Sequence, residues 1–133
     1  MLNQKLLIVD DQGELRKMLK IALGYGKYQL FEAENGVQAL AVAKAEKLDV
    51  ILLDVMMPGE YNGFDVCKIL RTKEESRQAF VVMITALGDE VSVAKAKEVG
   101  ANAYVIKPFR LSRLIEIIER RESVINPVTA YSD

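Results

Sequence analysis

Residues 50–54 read Val50-Ile51-Leu52-Leu53-Asp54, four apolar side chains in a row ending on a carboxylate. A strand with one wet face alternates apolar and polar residues, whereas an unbroken apolar run marks a strand buried on both faces. Shorter or longer versions of this punctuated run recur to either side. Leu6 to Val9 ends at Asp10-Asp11, Phe80 to Ile84 ends at Thr85, and Ala103 to Ile106 ends at Lys107-Pro108. Tyr28 to Ala33 is rich in strand-forming residues and completes a set of five.

Between these runs the apolar period changes to that of a helix. Leu15, Met18, Leu19, Ala22 and Leu23 fall at helical spacing. Val37, Leu40 and Ala41 open a second helix after Asn35-Gly36, and Phe64, Cys67 and Leu70 a third after Gly63. Val91, Ala94 and their neighbours give a fourth helix, stopped by Gly100; Leu111, Leu114, Ile115 and Ile118 give a fifth. Five strand-then-helix repeats predict an α/β domain, doubly wound, with helices on both faces of one five-stranded parallel sheet. Gly24-Tyr25-Gly26 reads as a helix stop and turn, since no GxxxxGK[ST] or GxGxxG pattern surrounds it. The pattern fits one domain over residues 1–123. Residues 124–133 lose the helical period, contain the breaker Pro127, and read as a tail or the start of a linker.

Parallel strands all end at one edge of the sheet, where ligands bind at the point of strand-order reversal. That edge collects Asp10, Asp11, Asp54, Thr85 and Lys107. Singly, each reads as a helix cap or turn residue; together they read as a site. Three neighbouring carboxylates repel, and a hard divalent cation such as Mg²⁺ relieves the conflict while also accepting phosphate oxygens. One carboxylate can then attack a phosphoryl group to form an aspartyl-phosphate. Lys107 and the Thr85 hydroxyl are the groups available to meet the charge on the transferred oxygens.

Composition narrows the field. The 133 residues carry 18 Lys and Arg against 19 Asp and Glu, a net charge of -1. This balance argues against a histone-like nucleic-acid binder and a polybasic membrane-surface protein. The absence of histidine removes every His-based triad or zinc site and any self-contained phosphohistidine chemistry. A single cysteine, Cys67, excludes an internal disulfide and reads as a small buried hydrophobe. The Leu6 to Val9 run is too short for a signal-peptide core, and no apolar run approaches the ~18 residues of a membrane span. A cytoplasmic protein without membrane contact is the expectation.

The motifs in this order resemble the receiver domain of two-component response regulators, over about Lys5 to Arg121. They are Val9-Asp10-Asp11 with Arg16; Leu52-Leu53-Asp54 with Met57-Pro58; Ile84-Thr85-Ala86; Gly100-Ala101 leading to Tyr104; and Lys107-Pro108-Phe109. The resemblance implies a flavodoxin-like (βα)5 fold with strand order 2-1-3-4-5. It implies that Asp54 accepts a phosphoryl group from a sensor histidine kinase or a histidine phosphotransfer protein. Asp11, Asp54 and the backbone carbonyl of Met56 would ligate Mg²⁺, with Asp10 acting through water. Lys107 would pair with phosphoryl oxygens from a cis Lys107-Pro108 peptide. Thr85 would move to bond the phosphoryl group, and Tyr104 would then turn inward. The fourth helix, last strand and fifth helix would form the output face, toward an output domain or protein or a homodimer. The domain itself would not contact nucleic acid, and it would not be an enzyme beyond assisting its own phosphorylation and dephosphorylation.

Three departures follow from the same comparison. Gly63 lies nine residues after Asp54 where the family usually places it at eight, so Gly59-Glu60-Tyr61-Asn62 forms a loop one residue longer. Met56 and Leu87 are apolar where polar side chains could orient an attacking water, which implies slow self-dephosphorylation. Asn102-Ala103 replaces the acidic pair that many DNA-binding members use in a dimer contact, which weakens a charged-pair homodimer. Arg110, Arg113, Arg120 and Arg121 read as a solvated face, with an acidic partner as the sharper alternative. Two other classes fit part of the pattern. A Mg²⁺-dependent phosphohydrolase with an aspartyl nucleophile usually opens with DxD, which is absent here. A constitutive interaction module of the same fold needs none of the acidic residues.

Overall fold

The computed structural model describes residues 4–24 and 28–125. Tyr25, Gly26 and the part of the expected tail from residue 126 on lie outside the described residues. The elements alternate without exception: β1 (Gln4–Val9), α1 (Gly13–Leu23), β2 (Tyr28–Ala33), α2 (Gly36–Ala45), β3 (Val50–Asp54), α3 (Gly63–Thr72), β4 (Phe80–Thr85), α4 (Glu90–Glu98), β5 (Ala103–Ile106) and α5 (Leu111–Arg120). The sheet is parallel throughout, in the order β2-β1-β3-β4-β5. The order reverses between β1 and β3, which opens a crevice outside their carboxyl ends.

The apolar runs behave as their composition requires. Every residue of β3 and β4 is buried, as are the last four of β1. Because successive side chains alternate, Leu7, Val9, Ile51, Leu53, Val81 and Met83 face one core, shared with α2, α3 and α4. Leu6, Ile8, Val50, Leu52, Val82 and Ile84 face the other, shared with α1 and α5. Strand β1 starts two residues earlier than its apolar run, since Gln4 and Lys5 are polar yet pair with Tyr28 and Gln29 of β2.

The apolar stripes of α2 and α4 differ from the sequence reading. In α2, Val37 (54% exposed) and Ala41 face outward, while Gly36, Ala39 and Ala43 are buried. In α4, Val91 is 77% exposed and Ala94 is also exposed, while Ala96 is buried and Val93 and Val99 pack against the core. A short helix with few apolar residues offers two candidate stripes, and the one carrying Ala96 is the one that meets the core.

Away from the site, Arg71 at the end of α3 fastens three segments. Its guanidinium donates to the carbonyls of Gly100 (3.0 and 2.8 Å), Arg77 (3.0 Å) and Ala79 (2.6 Å), and to Asn102 Oδ1 (2.8 Å). Asn102 Oδ1 also accepts from Val81 N–H at 2.8 Å. Asn102 therefore serves the interior of its own domain. The arginines of α5 are largely met within the chain: Arg113 pairs with Glu116 (2.5 Å) and Glu122 (3.1 Å), and Arg120 with Glu116 (3.5 Å). Arg120 is 68% exposed, as a solvated face requires, whereas Arg113 is 16% exposed and held by its two pairs. After α5, Arg121 adopts a left-handed conformation (φ 52°) and turns the chain back. Val124 and Ile125 then pack against the two cores, and Val124 O accepts from Tyr104 N–H at 2.8 Å.

Candidate functional site

Strands β1 and β3 end side by side, so the residues after their last apolar positions share the crevice. Ligand atoms of Asp10, Asp11 and Asp54 lie within 4.8 Å of one another. Asp10 and Asp54 are buried and Asp11 is exposed. The Lys107 ammonium reaches over from the end of β5, 3.1 Å from Asp10 Oδ2 and 3.5 Å from Asp54 Oδ2. The Lys107–Pro108 peptide is cis.

Asp54 carries a perturbed charge. Burial, and then the neighbouring Asp10 charge, push its carboxyl up from 3.8 to about 6, against the opposing pull of Lys107 and of the Met56 N–H. That N–H donates to Asp54 Oδ1 at 3.2 Å. One ammonium for three carboxylates leaves negative charge uncompensated, and the donors are all oxygen. This is a donor set that suits a hard divalent cation such as Mg²⁺, and the residues present therefore fit one.

The longer loop after Pro58 leaves this geometry intact. Gly59 takes a positive φ of 99°, a conformation glycine adopts at no steric cost. Asn62 then caps α3 through a reciprocal capping box with Asp65. Gly63 is needed for close approach, because a Cβ there would lie 2.4 Å from the Asp54 carbonyl oxygen. Its N–H donates to Val55 O at 2.8 Å. Met56 is 58% exposed, and with Met57, Pro58, Phe64 and Leu87 it lines a hollow that Asp11 and Asn62 also line.

Thr85 and Tyr104 form a second group beside the first. Thr85, fully buried at the end of β4, accepts at Oγ1 from Leu87 N–H at 3.2 Å, and its carbonyl accepts from Lys107 N–H at 2.8 Å. The Tyr104 ring is already turned inward and fully buried, its hydroxyl donating to Leu87 O at 2.6 Å. Burial, with Asp89 adding to it, raises the phenol to about 12, so it remains a donor at neutral pH. Leu87 thus links the threonine to the tyrosine through its two backbone polar groups. Sequence reasoning placed Leu87 only as an apolar flank, since a backbone role leaves no mark in residue type. It also quoted Arg16 without a role, although its Nη1 donates to Asp10 O at 2.6 Å.

A sequence model of the response regulator receiver domain matches residues 6–119. The chain is similar to sporulation initiation phosphotransferase F of Bacillus subtilis, 34% identical over 90% of this chain and 94% of that protein. It is also similar to transcriptional regulatory protein ResD of Bacillus subtilis, 39% identical over 79% of this chain. It spans 42% of ResD, so it corresponds to less than half the length of that regulator. Among solved structures, chemotaxis protein CheY4 of Vibrio cholerae superposes with a TM-score of 0.82 at 32% identity, covering 88% of this chain and 97% of that one. Among the described residues, no helix is long and apolar enough to cross a membrane. With the family match over most of its length, the chain belongs to the response regulator receiver domains of two-component signalling.

Proposed function

We propose that this domain accepts a phosphoryl group on Asp54 from a phosphohistidine of a sensor histidine kinase or a histidine phosphotransfer protein. The observation that carries the reading is Asp54 itself: a buried carboxylate at a strand end, desolvated, beside a second carboxylate and within 3.5 Å of an ammonium. An Asp54 oxygen attacks phosphorus, the P–N bond to the donor breaks, and its electron pair stays on the imidazole nitrogen. The Lys107 ammonium lies where it can neutralise charge on the transferred oxygens. Asp11, Asp54 and the Met56 carbonyl would hold Mg²⁺, with Asp10 in the outer sphere. Bound there, the ion would offset the charge of the carboxylates and of the incoming group.

Phosphorylation adds close to two negative charges and new acceptor oxygens. The Thr85 hydroxyl, whose oxygen accepts from the Leu87 N–H, would donate its proton to a phosphoryl oxygen and move toward it, and the loop that holds Tyr104 through Leu87 O would follow. The change would be read on the face made by α4, β5 and α5, by an output domain or protein or a second copy, in the cytoplasm. Residues 1–123 would form the receiver, with a tail or linker from residue 124. Met56 and Leu87, the two side chains flanking the acceptor, are apolar and cannot orient a water, which supports slow loss of the phosphoryl group.

The test is intact mass after incubation with Mg²⁺ and acetyl phosphate. Wild type is expected to gain one phosphoryl group and Asp54→Asn none. An unmodified wild type that binds Mg²⁺ would favour a constitutive interaction module instead.

A further inference from the structure

Asp10 uses all four of its polar positions. Its N–H donates to Ala33 O (3.1 Å), Oδ1 accepts from Gln12 N–H (2.8 Å), and Oδ2 accepts from Lys107 (3.1 Å). The fourth partner is a charged side chain from α1: Arg16 Nη1 donates to the Asp10 carbonyl at 2.6 Å. Arg16 is only 14% exposed. Its Nε bonds Glu32 Oε1 at 3.1 Å, and Nη2 lies 3.7 Å from Glu34 Oε1. Lys20 takes the other Glu32 oxygen at 2.9 Å. One planar fork therefore joins α1, the end of β2 and the acidic loop.

The oxygen that Arg16 holds belongs to the peptide between Asp10 and Asp11. That unit is planar, so fixing its carbonyl fixes the plane's tilt and with it the backbone angles on either side. Those angles set the direction of one carboxylate relative to the other. Asp10 is further held by its side-chain bonds, whereas Asp11 is exposed and takes its direction from the backbone that carries it. We infer that Arg16 is a positioning residue for the Asp10-Asp11 pair, holding the two carboxylates at the mutual orientation that a divalent cation requires. The inference rests on the Mg²⁺ reading given above.

Charge alone predicts the opposite sign. Removing a cation beside an acidic cluster would strengthen binding of a second cation, so weakened binding identifies positioning. The experiment is calorimetric titration of Mg²⁺ into wild type, Arg16→Gln and Glu32→Gln, with thermal unfolding of each. Arg16→Gln is expected to weaken Mg²⁺ about tenfold, as the loss of a ligand-orienting partner does. Glu32→Gln removes the α1–β2 charge pair and keeps the bond to Asp10, so it is expected to stay within twofold of wild type. Arg16→Gln at or above wild-type affinity overturns the assignment, as does an equal loss in Glu32→Gln. If Arg16→Gln does not fold, Arg16→Lys carries the test. It keeps the charge and loses the fork, and wild-type affinity in it overturns the assignment. A wild type that does not bind Mg²⁺ overturns the underlying reading instead, so the two failures are distinct.

Discussion

Helices α3 and α4 cover the same face of the sheet and differ by one residue in length, yet they are held very differently. α3 buries Gly63, Phe64, Val66, Cys67 and Leu70, starts with a capping box, and is fastened at its far end by Arg71. α4 buries Ala96 alone, and Val91 faces solvent near its start. The helix that follows Asp54 is anchored, while the helix that follows Thr85 rests on the sheet. A phosphoacceptor needs a fixed carboxylate, and a switch needs an element that can shift for little free energy. The two helices divide these requirements between them.

Leu70→Ala should destabilise the domain by about 3 kcal/mol, because it opens a cavity in a packed interface. Urea unfolding measures this, and a loss below about 1 kcal/mol would erase the contrast between the helices. Gly63→Ala should cost about 2 kcal/mol, since its Cβ must displace the Asp54 backbone. It should also slow phosphorylation by acetyl phosphate, tying the seat of α3 to the acceptor. Burial pushes the Asp54 carboxyl up to about 6, and proton and Mg²⁺ compete for the same oxygens. Mg²⁺ affinity should therefore fall by up to about tenfold per unit as pH drops below that value, and level off above it. Titration calorimetry across this range checks the sign.

On the α4 side the effects should be smaller. Tyr104→Phe leaves the Leu87 carbonyl without its donor and should cost about 1 kcal/mol. Faster amide exchange in residues 86–90 should accompany it. Val91→Ala should change stability by less than about 0.5 kcal/mol, as for an exposed position with no packing to lose. A larger loss would mean that α4 is anchored by contacts its burial does not reveal.

Much of this was legible in the sequence, and for identifiable reasons. Strand β5 ends where its apolar run ends, and β3 and β4 end one residue later, on Asp54 and Thr85, because the interior of a buried parallel strand takes no polar interruption. Asp10, Asp11, Asp54 and Lys107 could be brought together on paper because all parallel strands finish at one edge. The α4 face could not, because Val91 and Ala94 compete with Val93, Ala96 and Val99 for the same helical period. Asn102 and Arg71 were opaque for another reason: 31 positions separate them, and neither residue type announces a partner. Arg16 stood in a quoted motif, but its target is a carbonyl, which every residue possesses.

The chain's return past β5 has a consequence for association. Edge strands expose backbone donors on which another chain can template, and short protected edges are how native sheets resist that growth. β5 is four residues long, and the amide of its second residue, Tyr104, is already occupied by Val124. A strand arriving from another molecule would first have to displace the domain's own backbone, so assembly by sheet extension is disfavoured on this side. Copies or partners that meet here are left to recognise side chains.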